Sequence, residues 1–301
     1  MNQAVLQTRE LTKKYGEFSA LNNVSLTLRR GDIYGLIGRN GAGKTTFFKC
    51  VMGLAKPTAG TIAFGTEKIS LNAARRKIGF MINPSFFPYL NPKENLEYLC
   101  RVKGIKAKGE ADRLLKVVGL DGIKKSFKAF SLGMKQRLGI AGALLGSPPV
   151  IVLDEPINGL DPQGIIDMRT VIKETHAQTE ATFIISSHIL AELDLVATQF
   201  GFIEQGVLLK EISHTELHEH TKKSLIIIVD DTVKARAALK YLNIENAAYE
   251  GNRIILDSHL DRSAQIACAL INGGVELYDL HKQETTLEEY FMRLVGGKKD
   301  D

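Results

Sequence analysis

Cysteine is scarce in this chain of 301 residues: Cys50, Cys100 and Cys268 are odd in number and widely separated. They form neither a metal-ligand spacing nor a disulfide framework, so a reducing cytosol is the expected setting. No apolar stretch reaches the roughly 18 residues needed to cross a bilayer, and Met1 to Glu10 lacks the charged-then-apolar pattern of a signal peptide. Any work across a membrane would therefore borrow a partner's helices. A basic stripe with interleaved aromatics is also missing, so the net charge of +5 does not argue for nucleic acid, and no direct nucleic-acid partner is expected. Internal repeats and low-complexity segments are absent. What remains is 44% apolar and 24% charged, ordinary for a globular protein long enough for one large domain and a smaller one.

Against that plain background one segment stands out. Gly38-Arg39-Asn40-Gly41-Ala42-Gly43-Lys44-Thr45 is a complete G-x-x-x-x-G-K-[ST] phosphate-binding loop. The apolar run Ile33 to Ile37 reads as a buried strand entering it, and Thr45 to Met52 as the helix leaving it. Glycines let the backbone wrap an anion and aim its N–H groups at phosphate oxygens, and the helix N-terminus adds partial positive charge there. Lys44 would reach the terminal phosphates and the Thr45 hydroxyl would ligate Mg²⁺. Nothing in the chain reads as the Asn-Lys-x-Asp motif of guanine recognition, which disfavours a GTPase.

The first stretch of the chain alternates like half-buried strands, for example at Val24, Leu26 and Leu28. From about Leu90 to Leu145 apolar residues recur at three- and four-residue spacing, as in an inserted helical subdomain. Val150 to Leu153 and Phe183 to Ile185 are short uninterrupted apolar runs that suit parallel strands covered on both faces. Residues 222–301 change character. Strand, helix, two strands about a Gly251-Asn252 turn, helix and the strand Val275 to Asp279 give the β-α-β-β-α-β order of a ferredoxin-like plan. A closing helix starts at Thr285, with Glu288 completing a capping box. The expected division is a nucleotide-binding domain over 1–221 and an accessory domain over 222–301.

Val150 to Leu153 delivers Asp154 and Glu155 to a strand's C-terminal end, where α/β sheets bind ligands. An aspartate there can hold a Mg²⁺ hydration shell, and a neighbouring carboxylate can orient or deprotonate water. Ser131 precedes a helix as a natural N-cap, and no Glu or Gln stands at Met134 to form a capping box. A helix start carrying Ser131 and Gly133 is a second anion site, which one nucleotide cannot easily occupy along with the first.

The segment Ser131-Leu132-Gly133-Met134-Lys135-Gln136-Arg137 resembles the signature of the ATP-binding cassette (ABC) family, Leu-Ser-Gly-Gly-Gln followed by Lys/Arg-Gln-Arg. It departs at Phe130, Leu132 and Met134. Other landmarks follow the family's order between about Gln7 and Val207. Tyr15 matches the aromatic that stacks on adenine. Gly159-Leu160-Asp161-Pro162 matches the loop that crosses to the partner subunit, and His188 matches the switch histidine at the γ-phosphate. Where the family places a glutamine near Mg²⁺ and the attacking water, this chain has Asn83, one methylene shorter. The following Pro84 to Leu90, the unusual signature and the C-terminal extension resemble the subgroup that exports, or protects against, bacitracin and lantibiotic peptides.

The resemblance implies an α/β P-loop core with an N-terminal β subdomain and an inserted helical subdomain. It implies an ATPase using ATP and Mg²⁺, with the phosphates held by Gly38 to Thr46 and the metal by Thr45, Asp154 and Asn83. Glu155 would be the general base, with Lys44 and His188 on the γ-phosphate. It further implies a homodimer in which Ser131 and Gly133 of one copy close over the nucleotide of the other. A separate permease would hold the pair at the cytoplasmic face of the membrane, seated near Phe86, Phe87 and Tyr89. The rival reading is a soluble ABC-type switch, whose members usually carry two cassettes or a long coiled coil. The accessory domain could be a ligand sensor or a dimer brace.

Overall fold

The computed structural model describes residues 3–65, 67–68, 77–82, 84–105, 109–179, 181–221, 223–244, 246–284 and 286–296. The chain divides into two compact units, Met1–His214 and Thr215–Asp301. Among the described residues, no helix is long and apolar enough to cross a membrane.

The first unit contains two sheets. β1 (Ala4–Tyr15), β2 (Phe18–Arg29), β4 (Ala59–Phe64) and β5 (Glu67–Lys68) form an antiparallel sheet in the order β2-β1-β4-β5. The second sheet holds β3 (Ile33–Ile37), β6 (Ile78–Met81), β7 (Val150–Asp154), β8 (Thr182–Ser187), β9 (Gln199–Glu204) and β10 (Val207–Ser213). Its order is β10-β9-β3-β8-β7-β6, parallel except for the β9–β10 hairpin. The expected apolar runs are its central strands: all five residues of β3 and all six of β8 are buried. Because β3, β8 and β7 are parallel neighbours, their C-terminal ends open on one edge, and the loops that follow them must converge.

Helix α1 (Lys44–Val51) leaves β3. Its Phe47 and Phe48 share one core with Leu11, Leu21 and Val24 of the antiparallel sheet and with Val152 and Ile184 of the parallel one. Each such ring contributes about 2–3 kcal/mol of burial, which fixes the helix behind the phosphate loop. The helical region comprises α2 (Pro92–Lys103), α3 (Glu110–Val117) and α4 (Leu132–Leu144). α2 opens on a full capping box between Asn91 and Glu94. α4 crosses close to β6: a Cβ at Gly139 would sit 2.5 Å from the Met81 sulfur. The approach packs the middle of α4 against the Met81 side chain and so ties the helix to the edge of the parallel sheet. α5 (Pro162–Thr179) and the short α6 (Leu190–Asp194) complete the unit.

The helix α7 (His214–His220) leads to the second unit's sheet. β11 (Lys223–Val229), α8 (Thr232–Tyr241), β12 (Ala248–Glu250), β13 (Arg253–Leu256), α9 (Ser263–Asn272) and β14 (Leu277–Glu284) follow in the anticipated β-α-β-β-α-β order. The antiparallel sheet runs β12-β13-β11-β14, with Leu225, Ile227, Val229, Leu239, Ile254 and Leu270 in its core. Two boundaries differ from expectation. β14 begins at Leu277, because the Val275 N–H bonds back to the Leu270 carbonyl and finishes α9 instead. The capping box of the last helix, α10 (Leu287–Gly296), belongs to Thr286 and Glu289, one residue beyond the expected pair. Thr285 itself lies outside the described residues.

Candidate functional site

The loop after β3 folds over the start of α1. Gly43 adopts φ +111°, and a Cβ there would meet the Ala20 carbonyl at 2.8 Å, so only glycine fits. Lys44 is nearly buried, 6% exposed, and its ammonium donates to the carbonyls of Gly38 and Arg39. Residues 39–46, with Phe18, Ala20 and Glu155, line a cleft of about 300 Å³.

Two further loops meet this one. At the end of β7, the Thr45 hydroxyl donates to Asp154 Oδ2 at 2.9 Å. On the neighbouring strand the fully buried Ser186 donates its hydroxyl to Asp154 Oδ1 at 2.7 Å. The same Ser186 oxygen accepts the Glu155 N–H at 2.8 Å. Ser186 thus fixes one carboxylate and the backbone of the next. Glu155 itself sits at φ +50°, a left-handed conformation that costs a non-glycine residue about 1–3 kcal/mol. The surrounding bonds hold it there. Its Oε1 lies 3.1 Å from Lys44 Nζ, and its Oε2 is 2.9 Å from His188 Nδ1. A carboxylate only accepts, so Nδ1 of His188 carries the proton. Burial holds the Glu192 carboxyl, one turn beyond His188, above its ordinary range, against the opposing pull of His188 and Arg169.

The structure therefore brings together Gly38 to Thr46, Asp154, Glu155 and His188. The remaining expected residues stand elsewhere. Tyr15, Ser131 and Gly133 do not line the phosphate-loop cleft. Tyr15 ends β1, 48% exposed, with the Lys13 ammonium 4.6 Å from its ring centroid. Ser131 caps α4 by accepting the Met134 N–H at 3.3 Å. The Leu132 side chain reaches within 3.3 Å of where a Gly159 Cβ would stand, so signature and crossing loop touch within one chain. Asp161 accepts the Gly164 N–H at 2.8 Å and caps α5. Asn83 lies outside the described residues.

Sequence reasoning missed Ser186 and Asn95. Asn95, buried on α2, accepts the Phe87 N–H and donates to the carbonyls of Phe87, Leu90 and Asn91. It pins the aromatic segment after Asn83, where Phe86 meets Phe127 and Phe87 meets Tyr98 edge-on at 5.2 and 4.7 Å. A shallow cavity of about 250 Å³ lies between Ser85, Phe86, Phe87, Asn95, Tyr98 and Leu99.

A phosphate loop, a strand-end Asp-Glu pair and a following histidine on one parallel sheet define a P-loop nucleotide hydrolase. Comparison with known proteins narrows the class. Residues 21–158 match the family described as ABC transporter. The chain is 38% identical over 299 residues to the bacitracin transport ATP-binding protein BcrA of Bacillus licheniformis, covering 97% of this chain and 98% of that one. It is 42% identical over 209 residues to the lantibiotic transport ATP-binding protein SrtF of Streptococcus pyogenes, covering 69% and 90%. Among solved structures, a dimeric ATP-binding cassette in a post-hydrolysis state with ADP and phosphate matches at TM-score 0.62 and 26% identity, over 69% of this chain and 98% of that one. The chain belongs to the ABC transporter family, as one of its ATP-hydrolysing, nucleotide-binding subunits.

Proposed function

We propose that this subunit powers a separate membrane permease that exports a peptide antibiotic or a similar hydrophobic compound, working as a homodimer at the cytoplasmic face of the membrane. The observation that carries the catalytic half is Glu155, held at once by Lys44 and His188 beside the phosphate loop. Likeness to BcrA along nearly the whole chain, C-terminal unit included, supports the transport half.

In this reading the loop amides and Lys44 take the β- and γ-phosphates of ATP, and the γ-phosphate replaces the Glu155 carboxylate on Lys44. Glu155, released toward the γ-phosphate but still near His188, accepts a proton from the attacking water. Lys44 and the helix N-terminus offset charge on the phosphoryl oxygens. The Thr45 hydroxyl and Asp154 carboxylate, already 2.9 Å apart, are hard oxygen donors of the kind Mg²⁺ prefers. Bound there, Mg²⁺ would add electrostatic stabilisation of the transferring phosphoryl group. Ser131 and Gly133 of a second copy would supply further donors across a two-fold axis. The triphosphate then joins the two halves, and hydrolysis removes the charge that holds them. The aromatic cavity pinned by Asn95 would seat a short cytoplasmic helix of the permease.

The Glu155→Gln variant tests this. It keeps size and hydrogen bonding but cannot accept the water's proton. Phosphate release should fall by about 10²–10⁴-fold, while MgATP drives a stable dimer visible in gel filtration. Cells making this variant with the permease should lose protection against bacitracin or a lantibiotic. Near-normal hydrolysis would remove Glu155 from the role; protection that persists without hydrolysis would remove the transport reading.

A further inference from the structure

The first unit holds a second cavity, of about 610 Å³, that the ATP site does not use. Lys77, Pro149 and Ala181 line it, and these residues directly precede β6, β7 and β8. It therefore lies at the N-terminal ends of the parallel strands, whereas the phosphate loop and Asp154 stand at the C-terminal ends. At about 3.3 Å per residue, β7 alone puts roughly 17 Å between the two. The cavity and the phosphate-loop cleft share no lining residue. Its charge is of one sign: Arg30 after β2, Lys77 before β6 and Arg113 on α3 reach it from three elements, with no Asp or Glu among the described residues that line it. The turn that carries Arg30 is fixed, its N–H donating to the Gln3 carbonyl at 2.9 Å. Glu110, outside the lining, takes the Arg113 guanidinium on both oxygens at 2.9 Å, which orients that fork and offsets its charge. The remaining cations are Arg30 and Lys77.

The facing wall is apolar, built from Phe64, Leu144 and Pro148, with Ser147 and Thr179 adding hydrogen-bonding groups. Cations beside an apolar wall suit an anion with an organic body better than a bare ion, and the volume is that of a small-molecule site. A guanidinium and an ammonium together favour phosphate oxygens. We propose that this cavity is a second ligand site, taking a small organic phosphate with its phosphate on Arg30 and Lys77 and its organic part against Phe64, Leu144 and Pro148. Such an occupant touches α3 and the end of α4 on one side and the ends of β4 and α5 on the other. It would therefore tie the helical region to both sheets.

The test titrates phenyl phosphate by calorimetry into the full-length chain whose phosphate loop is already filled with MgADP. One site per chain should appear, and inorganic phosphate should bind it at least about fivefold more weakly for want of the ring. Arg30→Gln combined with Lys77→Gln should weaken phenyl phosphate by about 10- to 100-fold and leave MgADP binding unchanged. Arg30→Lys combined with Lys77→Arg keeps both charges and should stay within about threefold of the unaltered chain. Melting temperature serves as the folding control. The proposal is overturned if the MgADP-filled chain takes no phenyl phosphate, if the glutamine pair binds it as the unaltered chain does, or if inorganic phosphate binds equally well. Should the chain take no MgADP, the phosphate-loop reading fails instead, and the same titration without nucleotide still decides the cavity.

Discussion

The two units bury different things. Every buried Ser, Thr, Asn, Gln, Asp or Lys among the described residues lies between Thr8 and Ser187, in the first unit. The second unit's core is wholly apolar, from Leu225 on β11 to Val275 after α9. A buried polar group must find a partner or cost about 1–3 kcal/mol, so a fold keeps such groups where they perform work. Lys44 and Ser186 hold the phosphate loop and the carboxylates, and Asn95 holds the aromatic segment. Among its described residues the second unit has no buried side chain of these types, and its core is held by apolar packing.

The sharpest way to break that contrast is to damage one unit and read both. Leu239→Ala removes a fully buried side chain from the second core and should cost it about 2–5 kcal/mol. Heat or urea denaturation should show an early transition for this unit, while the rate of ATP hydrolysis below that transition stays within twofold. Hydrolysis that falls in step with the early transition would show that catalysis depends on the second unit's integrity.

The converse lesion is smaller in stability and larger in rate. Ser186→Ala deprives Asp154 Oδ1 of a donor and the Glu155 N–H of its acceptor in one step. Loss of such a supporting bond to a ligating carboxylate costs about 10- to 100-fold in activity. The drop should appear in steady-state phosphate release, with Ser186→Thr recovering part of it through the retained hydroxyl. An unchanged rate in Ser186→Ala would mean that the Asp154–Glu155 turn holds its shape without this bond.

The same contrast explains what the sequence could tell. The phosphate loop was legible because its chemistry is local: one loop supplies the glycines, Lys44 and Thr45 within eight residues. Asp154 and Glu155 were legible as acids closing an apolar run. Ser186 was not, since a hydroxyl at the end of Phe183-Ile184-Ile185 looks like any strand end. It becomes a ligand-holding residue only because β7 and β8 pair in parallel with Asp154 opposite Ser186. In the second unit the alternation of apolar residues gave the β-α-β-β-α-β order. The cap of α10 was placed one residue early because Thr285 and Thr286 each have a glutamate three positions on, and local pattern cannot choose between them.

The smallest effect concerns an acid at the surface of the first unit that serves the fold and not the site. The Tyr34 hydroxyl donates to Glu211 Oε1 at 2.9 Å, joining β3 to β10. Partial desolvation of the carboxyl raises Glu211 above its ordinary range, although the Tyr34 hydrogen bond and a bond from the Thr27 backbone oppose the rise. A carboxyl raised in the folded state holds its proton better there than in the unfolded chain. Its contribution is therefore complete below the unfolded value and is lost as pH climbs through the folded one. At pH 7 the ionised group is a small cost to the fold, reduced by its contact with solvent. Glu211→Gln keeps an acceptor for Tyr34 and removes that charge, so its melting temperature at pH 7 should exceed the unaltered chain's slightly, solvent screening holding the gain to about 1 °C or less. The gap should close as pH is lowered toward 4, where both forms are neutral. A gap that persists or widens in acid would show that the carboxylate, not the carboxylic acid, is the form the fold prefers, and that this polar contact belongs with the partnered groups of the active site rather than apart from them.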